Sequence, residues 1–120
     1  MMIYQNMKVW DKSHKLTLAV YAATGTFPVE ERYGLTSQLR RGAASVPANI
    51  AEGCGRNGRA ELARFLDISL GSASELEYHL LLARDLKYLD ESTWTTLTDG
   101  TVEVKRMLAG FLKSLRTAAA

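Results

Sequence analysis

The amino-acid sequence predicts an all-α protein, an up-down-up-down four-helix bundle that the whole chain of 120 residues forms as one domain. Four segments repeat apolar residues at steps of three and four, which is the spacing of a helix that buries one face. No segment alternates apolar and polar residues in the manner of a half-buried strand. The connections between the four segments are short, so successive helices are expected to run antiparallel.

The first helix is predicted over about residues 8–26. Its end is set by Pro28, because a proline disfavours helical backbone at the residue before it. The buried stripe of this helix is expected to comprise Val9, Ser13, Leu16, Val20, Ala23 and Phe27.

The second helix is predicted over about residues 33–53, with Gly53 as its C-terminal glycine cap. Pro47 lies inside this pattern and has no amide hydrogen, so the carbonyl of Ala43 loses its helical bond. We expect the helix to bend at Pro47 and not to end there, since the apolar stripe continues beyond it. That stripe comprises Leu35, Leu39, Ala43, Val46 and Ile50.

The third and fourth helices are predicted over about residues 58–86 and 91–116. The fourth opens with Asp90, Glu91 and Ser92, a sequence typical of a capped helix start. The buried stripe of the third helix is expected to be Leu62, Phe65, Leu66, Ser69, Ala73, Leu76, Leu80 and Ala83. That of the fourth is expected to be Leu97, Thr101, Val104, Leu108, Phe111 and Leu115.

The composition is typical of a globular protein, with 47% apolar and 23% charged residues. Its apolar runs are too short to cross a membrane, and no secretion signal opens the chain. The single cysteine, Cys54, cannot form an internal disulfide, which suits a reducing compartment. We therefore expect a cytoplasmic protein that has no membrane partner. Its net charge of +2 is only mildly basic.

A second stripe on the second helix is polar and is unusual for a solvated face. Its members recur at steps of three and four, but it uses Gln, Ser and Asn where a solvated face has Lys and Glu, and Ser and Asn are mediocre helix formers. This choice indicates partners within the fold or in another subunit. Antiparallel pairing with the third helix predicts two contacts, Arg41–Glu75 and Glu52–Arg64. A structural or assembly role is the main interpretation, with contact to a ligand or nucleic acid, or catalysis, as alternatives. The polar stripe comprises Gln38, Arg41, Ser45, Asn49 and Glu52, and Arg64 and Glu75 are its expected partners.

No catalytic, cofactor or metal site is expected. The two histidines, His14 and His79, lie on different predicted helices, and no cluster of ligands stands at metal-binding spacing around either. Neither histidine has a glutamate three residues before it, which excludes the paired motif of di-iron bundles. None of the serines has a histidine placed to activate it. The sequence therefore favours a protein that is not an enzyme.

The run Gly53-Cys54-Gly55-Arg56-Asn57-Gly58 matches the glycine pattern of dinucleotide-binding sites. That pattern works between a strand and a helix, whereas here a helix precedes it. We interpret it as an interhelical turn. Binding of an anion by the first amides of the third helix, beside Arg56 and Arg59, is the alternative.

Residues 33–41, followed by 46–53, resemble a motif of the bacterial ribosomal RNA intervening-sequence proteins, which are four-helix bundles. Residues 65–77 match the third-helix pattern of that family, and Val9-Trp10 with Leu16 matches its opening. The resemblance spans about residues 8–115. The accessory protein of diversity-generating retroelements, which partners a reverse transcriptase, belongs to the same group.

The resemblance implies a four-helix protomer in a ring-like homopentamer and, for the retroelement branch, binding of nucleic acid and of the reverse transcriptase. The expected function is that of a non-enzymatic, homo-oligomeric binding or scaffold protein with a basic surface for RNA, DNA or a nucleic-acid enzyme. The alternative is a purely structural protein–protein interaction module without nucleic-acid binding. The basic surface would comprise Arg40, Arg56, Arg59, Lys105, Arg106, Lys113 and Arg116.

Overall fold

Four α-helices make up most of residues 3–118, the part of the chain that the computed structural model describes. They are α1 (Lys8–Thr24), α2 (Leu35–Cys54), α3 (Arg59–Asp85) and α4 (Glu91–Ala118). Single turns of 3-10 helix at Tyr4–Asn6 and Val29–Glu31 precede α1 and α2. No strand occurs among these residues. The predicted four-helix fold is confirmed, and each helix begins and ends within two residues of its expected bounds.

Each helix packs against two others, as in a four-helix bundle. The α1 and α3 helices both pack against α2 and α4, and the molecule extends over 48 × 21 × 20 Å. The expected buried stripes of α2 and α3 are confirmed in full. The stripes expected for the first and fourth helices are only partly confirmed. Ala23, Phe111, Leu115 and Phe27, which lies beyond the end of α1, are half-buried, whereas Thr17, Thr24 and Leu112 are buried.

Pro47 lies inside α2, which continues on both sides of it as predicted. The carbonyl of Ala43, which loses its helical partner at Pro47, lies 3.0 Å from the Thr17 hydroxyl of α1. That hydroxyl also lies 2.8 Å from the carbonyl of Ser13, so its proton is shared between two acceptors. A side chain of α1 therefore satisfies the carbonyl that the proline leaves free, and it ties α1 to α2. The bend at Pro47 stays a prediction.

Gly53 is not the cap of α2, so this prediction was wrong. The helix continues to Cys54, and the amide of Gly55 donates to the carbonyls of Ala51 and Glu52. A Cβ atom at Gly53 would lie 2.9 Å from the Cβ of Phe65 in α3, closer than real Cβ atoms approach. Gly53 is required because α2 and α3 come close together at this point.

The α1–α2 and α3–α4 connections meet at one end of the bundle. One carboxylate oxygen of Glu31 accepts a hydrogen bond from the amide of Leu35, at 3.1 Å, and caps the start of α2. The other accepts a hydrogen bond from the Tyr88 hydroxyl at 3.0 Å, which raises the pKa of Tyr88. The rings of Phe27 and Tyr88 lie 5.3 Å apart between their centroids. Glu31 thus joins the two connections.

Lys87 ends α3 in a left-handed conformation, with a φ of 65°. The amides of Lys87 and Tyr88 donate to the carbonyls of Arg84 and Ala83, which is the Schellman arrangement that favours glycine. We expect Lys87→Gly to raise the free energy of unfolding by about 0.5–1 kcal/mol, since glycine adopts this conformation without strain. Urea unfolding measures it. The control is Lys113→Gly, within α4, which should lower the same quantity by about 1 kcal/mol.

Candidate functional site

The polar stripe of α2 borders an open groove between α2 and α3, with a volume of 810 Å³. The structure brings together in it four of the predicted residues: Gln38, Arg41 and Ser45 from α2, and Glu75 from α3. We call this cavity the α2–α3 groove. Its other lining residues are Tyr33, Gly34, Ser37, Gly42, Gly71 and Ser72.

A pair of serine hydroxyls connects α2 and α3 in the α2–α3 groove, and Asn49 bonds to one of these serines from beside it. The hydroxyls of Ser45 and Ser72 lie 2.8 Å apart. The Asn49 amide donates to the Ser45 carbonyl at 2.8 Å and to the Ser45 hydroxyl at 3.0 Å. Asn49 thus bonds to the backbone and the side chain one turn earlier in α2. These contacts are half-buried, so part of the stripe holds the fold together.

The predicted Glu52–Arg64 contact was wrong. A carboxylate oxygen of Glu52 lies 3.6 Å from Arg56, and one of Glu61 lies 2.9 Å from Arg64. Each charge meets a partner one turn away in sequence, because such a partner is in reach without spanning the gap between two helices. The hydrogen bond from Arg64 holds the pKa of the Glu61 carboxyl below its usual value.

Arg41 and Glu75 line the same groove, but they do not form the predicted ion pair. Among residues 3–118 neither makes an ion pair within 4.0 Å, and both side chains are exposed. Tyr33, at the edge of the groove, is 89% exposed. The α2–α3 groove therefore presents one unpaired charge of each sign and a large aromatic ring to solvent.

Arg40 lies apart from the other predicted basic contacts and packs on α1. Its guanidinium donates to the Thr24 hydroxyl at 2.8 Å and to the Tyr21 carbonyl at 3.3 Å. The guanidinium carbon lies 4.7 Å from the centroid of the Tyr21 ring. These contacts assign Arg40 to the α1–α2 packing.

The remaining basic residues fall into two groups. Three of them, Arg56, Arg59 and Arg116, surround two adjoining clefts of 440 and 280 Å³ at the end of the bundle where α3 begins and α4 ends. Arg64, which was expected only as a partner of the polar stripe, also lines the larger cleft. The others lie along α4: Lys105 forms a 2.8 Å ion pair with Glu77 of α3, while Arg106 and Lys113 are exposed.

The glycine-rich run 53–58 forms the end of α2, the connection to α3 and the residue that precedes α3, as the turn interpretation expected. Gly58 takes a left-handed φ of 88° just before α3. Cys54 is buried with its sulfur 3.3 Å from that of Met7, and burial raises the pKa of its thiol. Within residues 3–118 no group of three His, Cys, Asp or Glu side chains could hold a metal ion. No helix of that part combines the length and apolarity that membrane crossing requires.

Comparison with known proteins identifies the family. The family described as 23S rRNA-intervening sequence protein matches residues 5–110 of this chain. The chain belongs to this family. The matched range of this 23S rRNA-intervening sequence protein includes the whole polar stripe and α3, and it ends before Lys113 and Arg116.

A solved structure agrees with this assignment. It is the crystal structure of a protein with unknown function from the S23 ribosomal protein family of Bacteroides thetaiotaomicron. It is 25% identical to this intervening-sequence protein, covers 88% of it and 98% of its own chain, and aligns with a TM-score of 0.79. No curated protein is significantly similar to the chain.

Proposed function

We propose that this 23S rRNA-intervening sequence protein is a non-enzymatic, homo-oligomeric scaffold protein, and that its protomers meet at the α2–α3 groove. The observation that supports the proposal is the pair of unpaired opposite charges, Arg41 and Glu75, in one groove. The assembly is a homopentamer, as the family resemblance implies.

The lining of the α2–α3 groove suits contact with another subunit. Gly42 and Gly71 have no side chain and Ser45 has a small one, so the lining leaves room for a neighbouring backbone. Tyr and Arg are the residue types most enriched at the centres of interfaces, and Tyr33 and Arg41 stand exposed here. A neighbouring subunit that pairs both charges would gain orientation and specificity more than affinity.

The first test of this proposal is the mass of the purified protein by light scattering. We expect about five protomers for the wild type. Arg41→Glu is expected to yield smaller species, because it places two like charges in the groove and removes a guanidinium. The control Lys15→Glu makes the same change of charge at an exposed position of α1, away from the groove. This variant should keep the wild-type mass. A wild-type monomer, or a pentamer that Arg41→Glu leaves intact, would contradict the proposal.

The partner of the assembled scaffold is proposed to be anionic. The arginines at one end of the bundle support this, since guanidinium groups are preferred ligands of phosphates and carboxylates. In a pentamer these clefts are repeated, so weak contacts add through multivalency. The two partner classes are RNA or DNA, with a nucleic-acid enzyme such as a reverse transcriptase, and an acidic protein. The ratio of absorbance at 260 and 280 nm across the light-scattering peak distinguishes them, because co-purified nucleic acid raises it.

A further inference from the structure

The larger cleft at the end of the bundle combines an apolar floor with a basic rim. Ala60 and Ala63 of α3 and Leu115 of α4 form the floor, and Arg59, Arg64 and Arg116 form the rim. Asp67 completes the lining. We call this site the arginine-rimmed cleft. The smaller cleft adjoins it through Arg59 and Leu115, so the apolar surface continues towards the end of α2.

The rim has positive charge available for a partner. Arg59 makes no ion pair within the described chain, whereas Arg64 pairs with Glu61 and Arg116 with Asp67. All four side chains of these two pairs are at least 40% exposed. Exposed pairs contribute only about 0–1 kcal/mol, so they hold Arg64 and Arg116 weakly, and Arg59 is, among the described residues, the rim cation that is free for an incoming carboxylate.

The start of α3 adds to this potential. Gly58 precedes the helix and has no side chain, so the first amides of α3 lack a side-chain cap. These amides and the helix dipole favour negative charge near Arg59. The arginines of the rim and the start of α3 therefore both attract a negatively charged ligand.

We infer that the arginine-rimmed cleft docks an acidic amphipathic segment of a partner protein. Apolar side chains of the segment lie on Ala60, Ala63 and Leu115, and its carboxylates face the arginines. The inference rests on the proposed scaffold function and specifies the partner of that scaffold. Helix-in-groove binding of this kind uses one apolar stripe with polar residues beside it.

Charge complementarity favours an acidic peptide over a nucleic acid at this cleft. A nucleic-acid strand has a charge at every phosphate and would place some of them beside Glu61 and Asp67. An amphipathic segment can instead place its carboxylates at Arg59 and the uncapped start of α3, away from Glu61 and Asp67, and its methyl groups cover the apolar floor, which a phosphate backbone does not.

The test uses fluorescence anisotropy with three labelled probes on the full-length protein. The first is a helical peptide of about 16 residues, with leucines at i, i+3, i+4 and i+7 and glutamates between them. The second has the same composition in an order that destroys the stripe. The third is a single-stranded RNA of similar length. We expect the first peptide to bind at least about tenfold more tightly than the other two probes, a difference of 1.4 kcal/mol.

Two variants of the cleft probe its two parts. Arg59→Glu reverses the free charge of the rim, and Ala60→Asp places a carboxylate on the exposed edge of the floor. Each should weaken binding of the first peptide by about tenfold or more, whereas the matched control Lys15→Glu should change it less than about twofold. Ala60 is exposed in the first turn of α3, where an aspartate suits the helix, so this variant is expected to fold.

Equal binding of the two peptides overturns the inference, because it would reflect net charge alone. Tighter binding of the RNA, or no peptide binding at all, also overturns it. Light scattering on the same samples tests the scaffold proposal separately. A pentamer that does not bind the peptide contradicts the inference about the cleft and leaves the scaffold proposal intact. A monomer that binds the peptide contradicts the assembly alone.

Discussion

Gly53→Ala is expected to lower the free energy of unfolding by about 1–3 kcal/mol. In most helical positions this exchange stabilises, because alanine is the better helix former. At Gly53 the new methyl group would lie 2.9 Å from the Cβ of Phe65 and 3.1 Å from a methyl of Leu62. Phe65 cannot give way by rotating its side chain, since its Cβ is attached to the backbone, so α2 and α3 must separate.

Gly110→Ala is the matched control for this variant. Gly110 lies inside α4 and is exposed, and apart from the backbone of its own helix no atom of the described residues lies within 4 Å of the position of a new Cβ. There the exchange should raise the free energy of unfolding by about 0.5–1 kcal/mol. Chemical denaturation of both variants measures the two values under one condition. Stabilisation by both exchanges would show that α2 and α3 do not meet closely at Gly53.

Thr17→Val is expected to lower the free energy of unfolding by about 1–3 kcal/mol, since it leaves the Ala43 carbonyl buried without a hydrogen bond. Valine has the shape of threonine, so the lost stability measures the missing hydroxyl group and not a cavity. Pro47→Ala restores the amide that normally bonds to Ala43. In the Pro47→Ala background, Thr17→Val should lower the free energy of unfolding by less than in the wild type. The coupling energy between the two substitutions is expected to be about 1 kcal/mol.

The control for this double-mutant cycle is a buried threonine whose hydroxyl makes no contact with the carbonyl that Pro47 leaves free. Thr101 is fully buried in α4, and within residues 3–118 its hydroxyl bonds only to the Leu97 carbonyl of its own helix. Thr101→Val should therefore cost the same in the wild type and in the Pro47→Ala background, within about 0.5 kcal/mol. Equal costs of Thr17→Val in both backgrounds would refute the role of Thr17 as the partner of the freed carbonyl.

Helical periodicity predicted the cores of α2 and α3 but only part of α1. In α2 and α3 every residue of the expected stripes is buried, although Thr36, Pro47, Cys54 and Ala63 are buried beside them. Thr17 and Thr24 of α1 are buried because their hydroxyls bond to carbonyls of the preceding turn, at 2.8 Å each. Spacing placed Thr101 of α4 on a buried stripe but not Thr17 or Thr24, because spacing does not indicate whether a threonine hydroxyl finds a carbonyl partner in its own helix.

The candidate site was predictable to the extent that residue choice departs from helix propensity. Gln38 and Ser45, which replace the Lys and Glu of an ordinary solvated face, do line the groove. Antiparallel spacing estimated which residues lie at the same height along two helices, and Arg41 and Glu75 do line one groove. It could not determine the direction of each side chain around the axis, so Glu52 was assigned to Arg64 and not to its own neighbour Arg56.

The arginine-rimmed cleft was missed for a related reason. Leu115 falls on the predicted buried stripe of α4, yet it is half-buried and lines both clefts. Sequence spacing treats a stripe as uniformly covered from end to end. How far the last turn of one helix is covered depends on where the facing helix starts, which is a property of the packed bundle.

Glu31 has a consequence for the motions of this protein. Because its two carboxylate oxygens are bound by the amide of Leu35 and the hydroxyl of Tyr88, neither connection can swing out without releasing the other. We therefore expect the two segments, although far apart in sequence, to open together, because moving either one alone breaks the hydrogen bond between Tyr88 and Glu31. That end of the bundle is therefore expected to move as one unit and not as two independent loops.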